Sequence, residues 1–338
     1  MLVSLCIVAY NEENNLNSIF SDLLSQTYSK KKTELIFVDN KSNDGTYGLL
    51  CAFRDKHAEE YNTIKVLQNT DNSVLSNGLN VAMDAFDGDA FIRVDAHASL
   101  ESTFIEENVA CLEGTHTGIK EYACGGMRPT YAPDDSGMSV LLLAAEESRF
   151  GASAASYRGT PERCYVDSIF HAAYRREVTE KVGHFNERLF RTEDNEYNYR
   201  VREAGYKICF EPRIKSGQQI RSSIKKMLKQ KNQNGWWIGY TLGVCPKCLG
   251  VFHFVPFAFL TACVLTTVMA AFGLGIFSAL LWGAYGICNI AFSAKAIIDA
   301  KRFRAHLLLL PFVFLLMHIC YGAGTYAGIF KMLTEKKK

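Results

Sequence analysis

The segment Ala90–Ala98, with the sequence AFIRVDAHA, decides the fold. Its apolar part, residues 91–94, ends abruptly at Asp95, and His97 follows two residues later. An apolar run of this length bounded by polar residues is typical of a buried strand in a parallel sheet. Ligands of open α/β sheets bind just beyond the carboxyl ends of such strands. Asp95 and His97 can reach one divalent cation from the same side of an extended segment. A solvated turn with a helix cap is the alternative.

The sequence before this segment alternates between strand-like runs and segments of helical spacing. In chain order these are a strand at 2–9, a helix at 16–23, a strand at 35–38, a helix at 49–53, a strand at 64–67 and a helix at 74–86. The alternation predicts βαβ units and a mostly parallel sheet with helices on both faces. No G-x-G-x-x-G follows the first strand and no Walker lysine motif occurs, so dinucleotide and P-loop sites are disfavoured.

Polar side chains follow three of these strands where each strand ends. Glu12 lies after the first strand, Asp39 ends the second, and Asp95 and His97 follow the fourth. Because parallel strands point the same way, these side chains are expected to converge on one edge of the sheet. The sequence therefore predicts a ligand cleft at this edge.

A helix is predicted to begin near Thr192 and to end before Gly205, a residue suited to the position after a helix. Glu193 and Asp194 lie in its first turn. Acidic residues there stabilise a helix by about 0.3–1 kcal/mol, because they offset the positive end of the helix dipole. This effect explains much of the presence of an acidic residue at Glu193. For Asp194 the same explanation and a role as general base are both open.

The C-terminal part differs in composition. Between Lys247 and Lys295 there is no Asp, Glu, Lys or Arg, and a third apolar segment covers 307–330. A membrane helix needs roughly 20 apolar residues, so the charge-free interval can hold two. We predict a cytoplasmic α/β domain at 1–220, a basic interfacial helix and linker at 221–248, a membrane domain with two or three transmembrane helices at 249–332, and a basic tail at 333–338.

Residues 221–231 form a predicted basic amphipathic helix, of the kind that lies on an anionic cytoplasmic leaflet. The scattered cysteines and the lack of a visible secretory signal also indicate a cytoplasmic domain. The basic loop 295–304 is expected on the same side, so a third full crossing would place the basic tail outside. Pro311 and the glycines near 322–328 allow the last segment to bend or re-enter the membrane.

Six segments, in this order and spacing, resemble the family 2 glycosyltransferases of GT-A fold. They are 7–13 (IVAYNEE), 38–46 (VDNKSNDGT), 93–98 (RVDAHA), 166–177 (VDS through RE), 192–196 (TEDNE) and 318–324 (HICYGAG). The resemblance covers nearly the whole chain. The chain most resembles the membrane-anchored bacterial branch that includes the succinoglycan-type exopolysaccharide glycosyltransferases. It implies a GT-A (Rossmann-like) domain followed by a helical membrane domain in the plasma membrane.

The resemblance also implies roles for individual residues. Glu12 and Asp39 match positions that hold the ribose and base of a nucleotide-sugar donor. The other implied donor contacts are Ala9, Tyr10, Asn77, Arg93 and Asp95. Asp95 and His97 match the first and third positions of the D-x-D metal motif, with His97 where the superfamily usually has Asp. Imidazole binds Mn²⁺, and Mg²⁺ less readily, so either ion remains expected. Asp194 matches the presumed general base.

The implied activity is inverting transfer of a sugar, from UDP by family resemblance, to a polyprenyl-diphosphate-linked saccharide in cell-surface polysaccharide synthesis. The candidates for acceptor or phosphate contacts are Glu193, Arg128, Arg221, Gln233 and Trp237. Gln233 and Trp237 align with the ends of the Q-x-x-R-W motif of processive members, but Trp236 replaces its arginine. Processive synthesis is therefore not assigned. The basic helix 221–231 binds either an acceptor pyrophosphate or anionic lipid.

Two other classes of function remain open at this point. One is a non-catalytic, membrane-anchored subunit that keeps the nucleotide-sugar cleft, and the other is a nucleotidyltransferase. The latter lacks the Gly-rich basic loop of triphosphate chemistry and leaves the membrane segments unexplained. A formal net charge of +2 gives no general case for nucleic-acid binding.

Overall fold

The computed structural model describes residues 1–71, 74–151, 162–300 and 302–335. The chain divides into a first unit, Met1–Pro129 with Ser156–Gln218, and a second unit, Thr130–Ala155 with Gln219–Lys338. Residues 130–155 thus group with the C-terminal unit, whereas the sequence analysis placed them inside an N-terminal domain. Lys301 of the predicted basic loop and residues 336–338 of the predicted tail lie outside the described residues.

The helices and strands follow one another with these bounds. In the first half they are β1 (Val3–Ala9), α1 (Leu16–Leu24), β2 (Thr33–Asp39), α2 (Thr46–His57), β3 (Thr63–Gln68), α3 (Leu75–Ala85), β4 (Ala90–Asp95), β5 (Ala98–Leu100), α4 (Phe104–Glu113), β6 (Ala123–Met127), β7 (Thr130–Tyr131) and α5 (Gly137–Glu147). Then come β8 (Cys164–Val166), β9 (Ala173–Arg175), α6 (Arg176–Val182), α7 (Glu193–Glu203), β10 (Ile208–Gln219), α8 (Ile224–Thr241), α9 (Val255–Ala271), α10 (Gly275–Asp299) and α11 (Leu310–Thr334).

Eight strands follow one another across the sheet of the first unit in the order β3-β2-β1-β4-β9-β6-β10-β5, and β8 also pairs with β10. The first four are parallel, and their register pairs Ala9 with Asp39 and Val8 with Asp95. β9 runs antiparallel to both β4 and β6, so the sheet is mixed beyond β4. The predicted α/β fold is confirmed, and the polar strand ends lie at one edge.

The apolar side chains of the central strands alternate between the two faces, as the strand period of two requires. On one face Leu5 and Ile7 pack with residues of α1, and on the other Cys6 and Val8 pack with residues of α3. Helices therefore cover both faces, which explains why these strands read as continuous apolar runs in the sequence.

The sequence predicts a single strand at 165–174, and this prediction is wrong. Two short strands, β8 and β9, occur there instead, and β8 pairs with β10 while β9 pairs with β4 and β6. Between them His171 has a φ of 46°, which lies in the left-handed region and ends the extended path. The turn before β9 belongs to the candidate site described below.

Three helical segments of the second unit, counted over the described residues, are long and apolar enough to cross a membrane. They are Val251–Ala271, Gly275–Asp299 and Ala305–Thr334. The last contains α11, which is one continuous helix. Pro311 lies in its first turn, where proline is tolerated, so the bend considered for this segment does not occur.

The glycines of α11 make a close contact with α8 instead. The contact is formed by Gly235 and Gly239 of α8 and by Gly324 and Gly328 of α11, each pair spaced as G-x-x-x-G. A Cβ on Gly328 would lie 1.9 Å from the carbonyl oxygen of Trp236. Small residues at this spacing allow two helix backbones to touch. We call this the glycine contact.

Candidate active site

Hydrogen bonds donated by backbone N–H groups join the segments that follow β1 and β2. The N–H of Asn40 donates to the carbonyl oxygen of Ala9 at 2.8 Å, and the N–H of Glu12 donates to the Thr46 hydroxyl at 2.8 Å. Tyr10, between them in sequence, has 48 % of its side chain exposed. The two predicted strand ends therefore form a single surface, with Tyr10 accessible from solvent.

Two buried oxygen atoms close to this surface lack hydrogen-bond donors. Asp39 and Asn77 are 2 % and 7 % exposed, and the Oδ1 atom of each has no hydrogen-bond partner among the described residues. A Cβ on the neighbouring Gly78 would lie 2.6 Å from Val8 Cγ1, so the start of α3 packs directly on the end of β1. Buried acceptors without donors call for an explanation, and a bound ligand that donates hydrogen bonds is one.

A buried arginine connects the end of β4 to the start of α7. The Nη2 atom of Arg93 lies 3.3 Å from Asp95 Oδ1, and its Nη1 atom donates to Glu193 Oε1 at 2.9 Å. Burial alone raises the pKa of Asp95, but contacts from His171 and Arg93 outweigh it and hold that pKa well below its usual range. Burial also raises the pKa of Glu193, against the opposing effect of Arg93.

His97 lies against the loop after β1. Its Nδ1 atom is 3.0 Å from Glu12 Oε1, so residues that are 85 positions apart in sequence meet at the sheet edge. The side chains of Asp95 and His97 are 27 % and 39 % exposed, which leaves both partly open to solvent. The convergence expected from the strand ends is therefore present in the fold.

These residues fit a cation that is also held by its substrate. Over the described ranges, no group of three or more His, Cys, Asp or Glu side chains could hold a metal ion by itself. Asp95 and His97 offer one carboxylate and one imidazole, so phosphate oxygens and water must complete the coordination. Mg²⁺ is commonly bound in this way, through one or two carboxylates and substrate phosphates.

Asp194 differs from its neighbour Glu193 in how it is held. Glu193 is buried and paired with Arg93, whereas Asp194 is half-buried and its Oδ1 accepts a hydrogen bond from the N–H of Asn195 at 2.8 Å. α7 begins at Glu193 and is followed by Gly205 with a φ of 91°, as the sequence predicts. Of the two carboxylates, Asp194 is therefore the one that is partly open to solvent.

His171 also lies at this site, although its sequence context did not mark it as a candidate. It is 4 % exposed, and its Nε2 atom lies 3.3 Å from Asp95 Oδ2. Burial lowers the pKa of His171, because charging a ring without water is unfavourable. The preceding residue, Phe170, lies under the guanidinium of Arg128, with the Arg128 Cζ 3.7 Å from the ring centroid. Only the resemblance of segment 166–177 pointed to this turn.

The other candidates belong to the second unit. Arg221 precedes α8, and Gln233 and Trp237 lie within it, where the Trp237 and Trp236 rings meet edge to face at 4.7 Å. Lys231, predicted to lie on the lipid-facing basic surface, is instead buried and paired with Glu146 at 2.9 Å. A buried lysine needs such a partner, so the positive charge of Lys231 is paired inside the second unit.

The profile described as glycosyl transferase family 2 matches residues 4–183, which is more than half of the chain. The chain belongs to this family. It is therefore a glycosyltransferase, as the resemblance implied, and the finer likeness to succinoglycan-type enzymes stays a prediction.

Two curated relatives are similar to this glycosyltransferase. A Methanococcus voltae protein is 24 % identical over 97 % of both chains and is named dolichyl N-acetyl-alpha-D-glucosaminyl phosphate 3-beta-D-2,3-diacetamido-2,3-dideoxy-beta-D-glucuronosyltransferase. Glycosyltransferase AglE of Haloferax volcanii is 25 % identical, over 62 % of this chain and 64 % of its own.

A solved structure supports the fold. It is the mannosyltransferase PcManGT from Pyrobaculum calidifontis in complex with GDP-Man and Mn²⁺, with a TM-score of 0.63 and 18 % identity. The match covers 99 % of this chain and 88 % of that one. The likeness confirms the GT-A fold of the first unit followed by C-terminal helices.

Proposed function

We propose that this protein is an inverting, cation-dependent glycosyltransferase that moves a sugar from a nucleotide-sugar, with UDP favoured, to a lipid-linked saccharide at a membrane. The observation that carries the proposal is the Arg93 bridge. It contacts Asp95 at the end of β4 and Glu193, the residue before Asp194, at the start of α7. One buried arginine thereby links the residues expected to hold the donor to the residue expected to activate the acceptor.

Donor binding is assigned to the strand ends of the first unit. The unpartnered oxygens of Asp39 and Asn77 are suited to accept hydrogen bonds from the base and ribose of a nucleotide, because both groups carry donors. Ala9, Tyr10 and Glu12 belong to the adjoining loop. This assignment gives a function to two buried polar atoms that otherwise carry only the cost of desolvation.

The cation is assigned to Asp95 and His97. When bound, it offsets the negative charge that builds on the leaving nucleoside diphosphate. Arg93 keeps Asp95 ionised, since its guanidinium and the nearby His171 hold the pKa of that carboxyl well below its usual range. Arg93 is buried, so its part in this assignment is to position Asp95 and Glu193.

Asp194 is assigned as the general base. It takes the proton from an acceptor hydroxyl while that oxygen bonds to the anomeric carbon, and the bond from that carbon to the diphosphate oxygen breaks. A single displacement of this kind inverts the anomeric carbon. Glu193 is occupied by Arg93, which leaves Asp194 as the reactive carboxylate of the pair.

The acceptor is proposed to be lipid-linked, as a polyprenyl-diphosphate saccharide, with the catalytic domain in the cytoplasm. Three helical segments among the described residues are suited to cross a membrane. The name of the Methanococcus relative contains a dolichyl-linked sugar phosphate, which supports a lipid-linked acceptor.

Substitution of Asp194 by Asn tests the proposal. Detergent-solubilised full-length protein is first screened for sugar transfer across nucleotide-sugars, with and without Mn²⁺ or Mg²⁺. We expect Asp194→Asn to lower transfer by about 10²–10⁴-fold. Donor binding should survive, because Asp194 contacts the acceptor. Asp167→Asn is the control, since the Asp167 side chain is 88 % exposed and pairs with Arg202 on the surface. Equal transfer by wild type and Asp194→Asn would refute the base assignment.

A further inference from the structure

His171 occupies a backbone conformation that residues other than glycine adopt only uncommonly. Its φ of 46° lies in the left-handed region, where Asn, Asp and His are the most enriched of the non-glycine residues. The residue is also buried. Backbone strain of this kind persists where the surroundings hold a residue in place, and it concentrates at functional sites. The position therefore calls for an account of what the imidazole does.

The sheet topology brings this ring to the end of β4. β9 runs antiparallel to β4, and the N–H of Arg93 donates to the carbonyl oxygen of Ala172 at 3.2 Å. The residue before Ala172 must therefore lie beside the carboxyl end of β4, where Asp95 ends the strand. This pairing places a histidine from the second half of the first unit against a carboxylate from its first half.

The two ring nitrogens have different surroundings. Nδ1 lies 2.8 Å from the hydroxyl oxygen of Ser216 on β10. Nε2 is enclosed, has no well-formed hydrogen bond within the described part of the chain, and lies 3.3 Å from Asp95 Oδ2. If the Ser216 hydroxyl donates to Nδ1, the proton of the neutral ring is on Nε2 and points to Asp95. In that tautomer the Ser216 hydroxyl supports the contact between the ring and the carboxylate.

We propose that His171 is a positioning residue for Asp95, which fixes the orientation of the carboxylate that holds the divalent cation. This inference rests on the proposed function. Arg93 contacts Oδ1 of Asp95 and His171 faces Oδ2, so the carboxylate is restrained from both sides. Nε2 is too enclosed to bind the cation itself. Residues that orient a metal-binding carboxylate typically change metal affinity by about 10–100-fold when they are replaced.

Two substitutions separate this role from a purely structural one. His171→Asn tolerates the left-handed backbone and keeps a polar atom near the Nδ1 position, but it loses the atom that faces Asp95. His171→Gln places its amide nitrogen near the Nε2 position. We expect His171→Asn to weaken Mn²⁺ binding by about 10–100-fold. The Mn²⁺ affinity of His171→Gln should stay within about threefold of wild type. Binding is measured with UDP present, from the loss of the free Mn²⁺ signal in electron paramagnetic resonance.

Asp95→Ala is measured in parallel. If Asp95→Ala binds Mn²⁺ as wild type does, the cation assignment of the proposed function fails. If Asp95→Ala loses binding while His171→Asn keeps it, only the role of His171 is refuted. Equal losses with Asn and Gln would also refute it, because the ring would then serve the fold alone. Thermal unfolding without Mn²⁺ checks each variant. Should either His171 variant not fold, Ser216→Ala replaces it. We expect it to weaken Mn²⁺ binding by about tenfold, and an affinity within about threefold of wild type would contradict the proposal.

Discussion

The end of β4 and the contact between α8 and α11 achieve tight packing by opposite means. At the end of β4, Arg93 brings two carboxylates together inside the first unit, and each charge depends on its partner. In the glycine contact of the second unit, side chains are absent and the backbones meet directly. The first region should therefore be sensitive to a change of charge, and the second to a change of volume.

The largest expected effect is the loss of the Arg93 charge. Arg93→Met leaves the buried carboxylate of Glu193 and the partly buried one of Asp95 without the guanidinium that contacts both, which should destabilise the protein by about 3–5 kcal/mol. Arg54→Met is the control, because the side chains of Arg54 and its partner Asp55 are 38 % and 67 % exposed and lie 2.8 Å apart. Exposed pairs contribute about 0–1 kcal/mol. Thermal unfolding in detergent measures both, and equal shifts would show that the bridge is not essential to the fold.

An added side chain in the glycine contact should have the next largest effect. Gly328→Leu meets the backbone of Trp236 and should destabilise the second unit by about 1–3 kcal/mol. Gly286→Leu in α10 is the matched control, since no described atom lies within 4 Å of a Cβ at that position. The comparison uses the same thermal unfolding assay. If both variants unfold at the wild-type temperature, the close helix contact is wrong.

Asn77 allows a test of the proposed donor site with little change in the stability of the protein. Its Oδ1 atom lacks a donor among the described residues, so Asn77→Ala removes no internal hydrogen bond at that atom. We expect UDP affinity to fall by about tenfold, the usual worth of one hydrogen bond, with little change in thermal unfolding. Isothermal titration with UDP and Mn²⁺ measures the affinity. Unchanged UDP affinity would remove Asn77 from the donor site.

The smallest effect expected is a dependence of stability on acidic pH. The pKa of Asp95 is lower in the folded protein than in the unfolded chain, so its contacts stabilise the fold above the ordinary aspartate value of about 3.9. That contribution is lost as pH falls below this value. Asp95→Asn should therefore flatten the decrease in unfolding temperature between about pH 5 and pH 3. A wild-type slope in the variant would contradict the assigned contacts.

The first four strands and their polar ends could be predicted because the signal is local. Apolar runs alternate with helical spacing, and parallel strands place Asp39 and Asp95 at the same edge. The partners of Arg93 and Asp95 could not be predicted in this way. Glu193 lies 100 positions from Arg93, and His171 reaches Asp95 only through the antiparallel pairing of β9.

The glycines of α11 show a second limit of the sequence. A glycine in an apolar helix permits either a bend or a close helix contact, and its neighbours do not distinguish these. The choice at Gly324 and Gly328 depends on the backbone of α8, about 90 positions earlier in the chain. A G-x-x-x-G in each helix was a usable signal, since the two spacings match.

The central claim is that residues distant in sequence meet around one cation and one diphosphate at the edge of the sheet. Anomalous diffraction at the manganese edge, from crystals of the full chain with UDP and Mn²⁺, tests it most directly. We expect one peak in contact with Asp95, His97 and the diphosphate, and the uridine beside Asp39. A manganese peak elsewhere, or a nucleotide away from Asp39, would contradict the account.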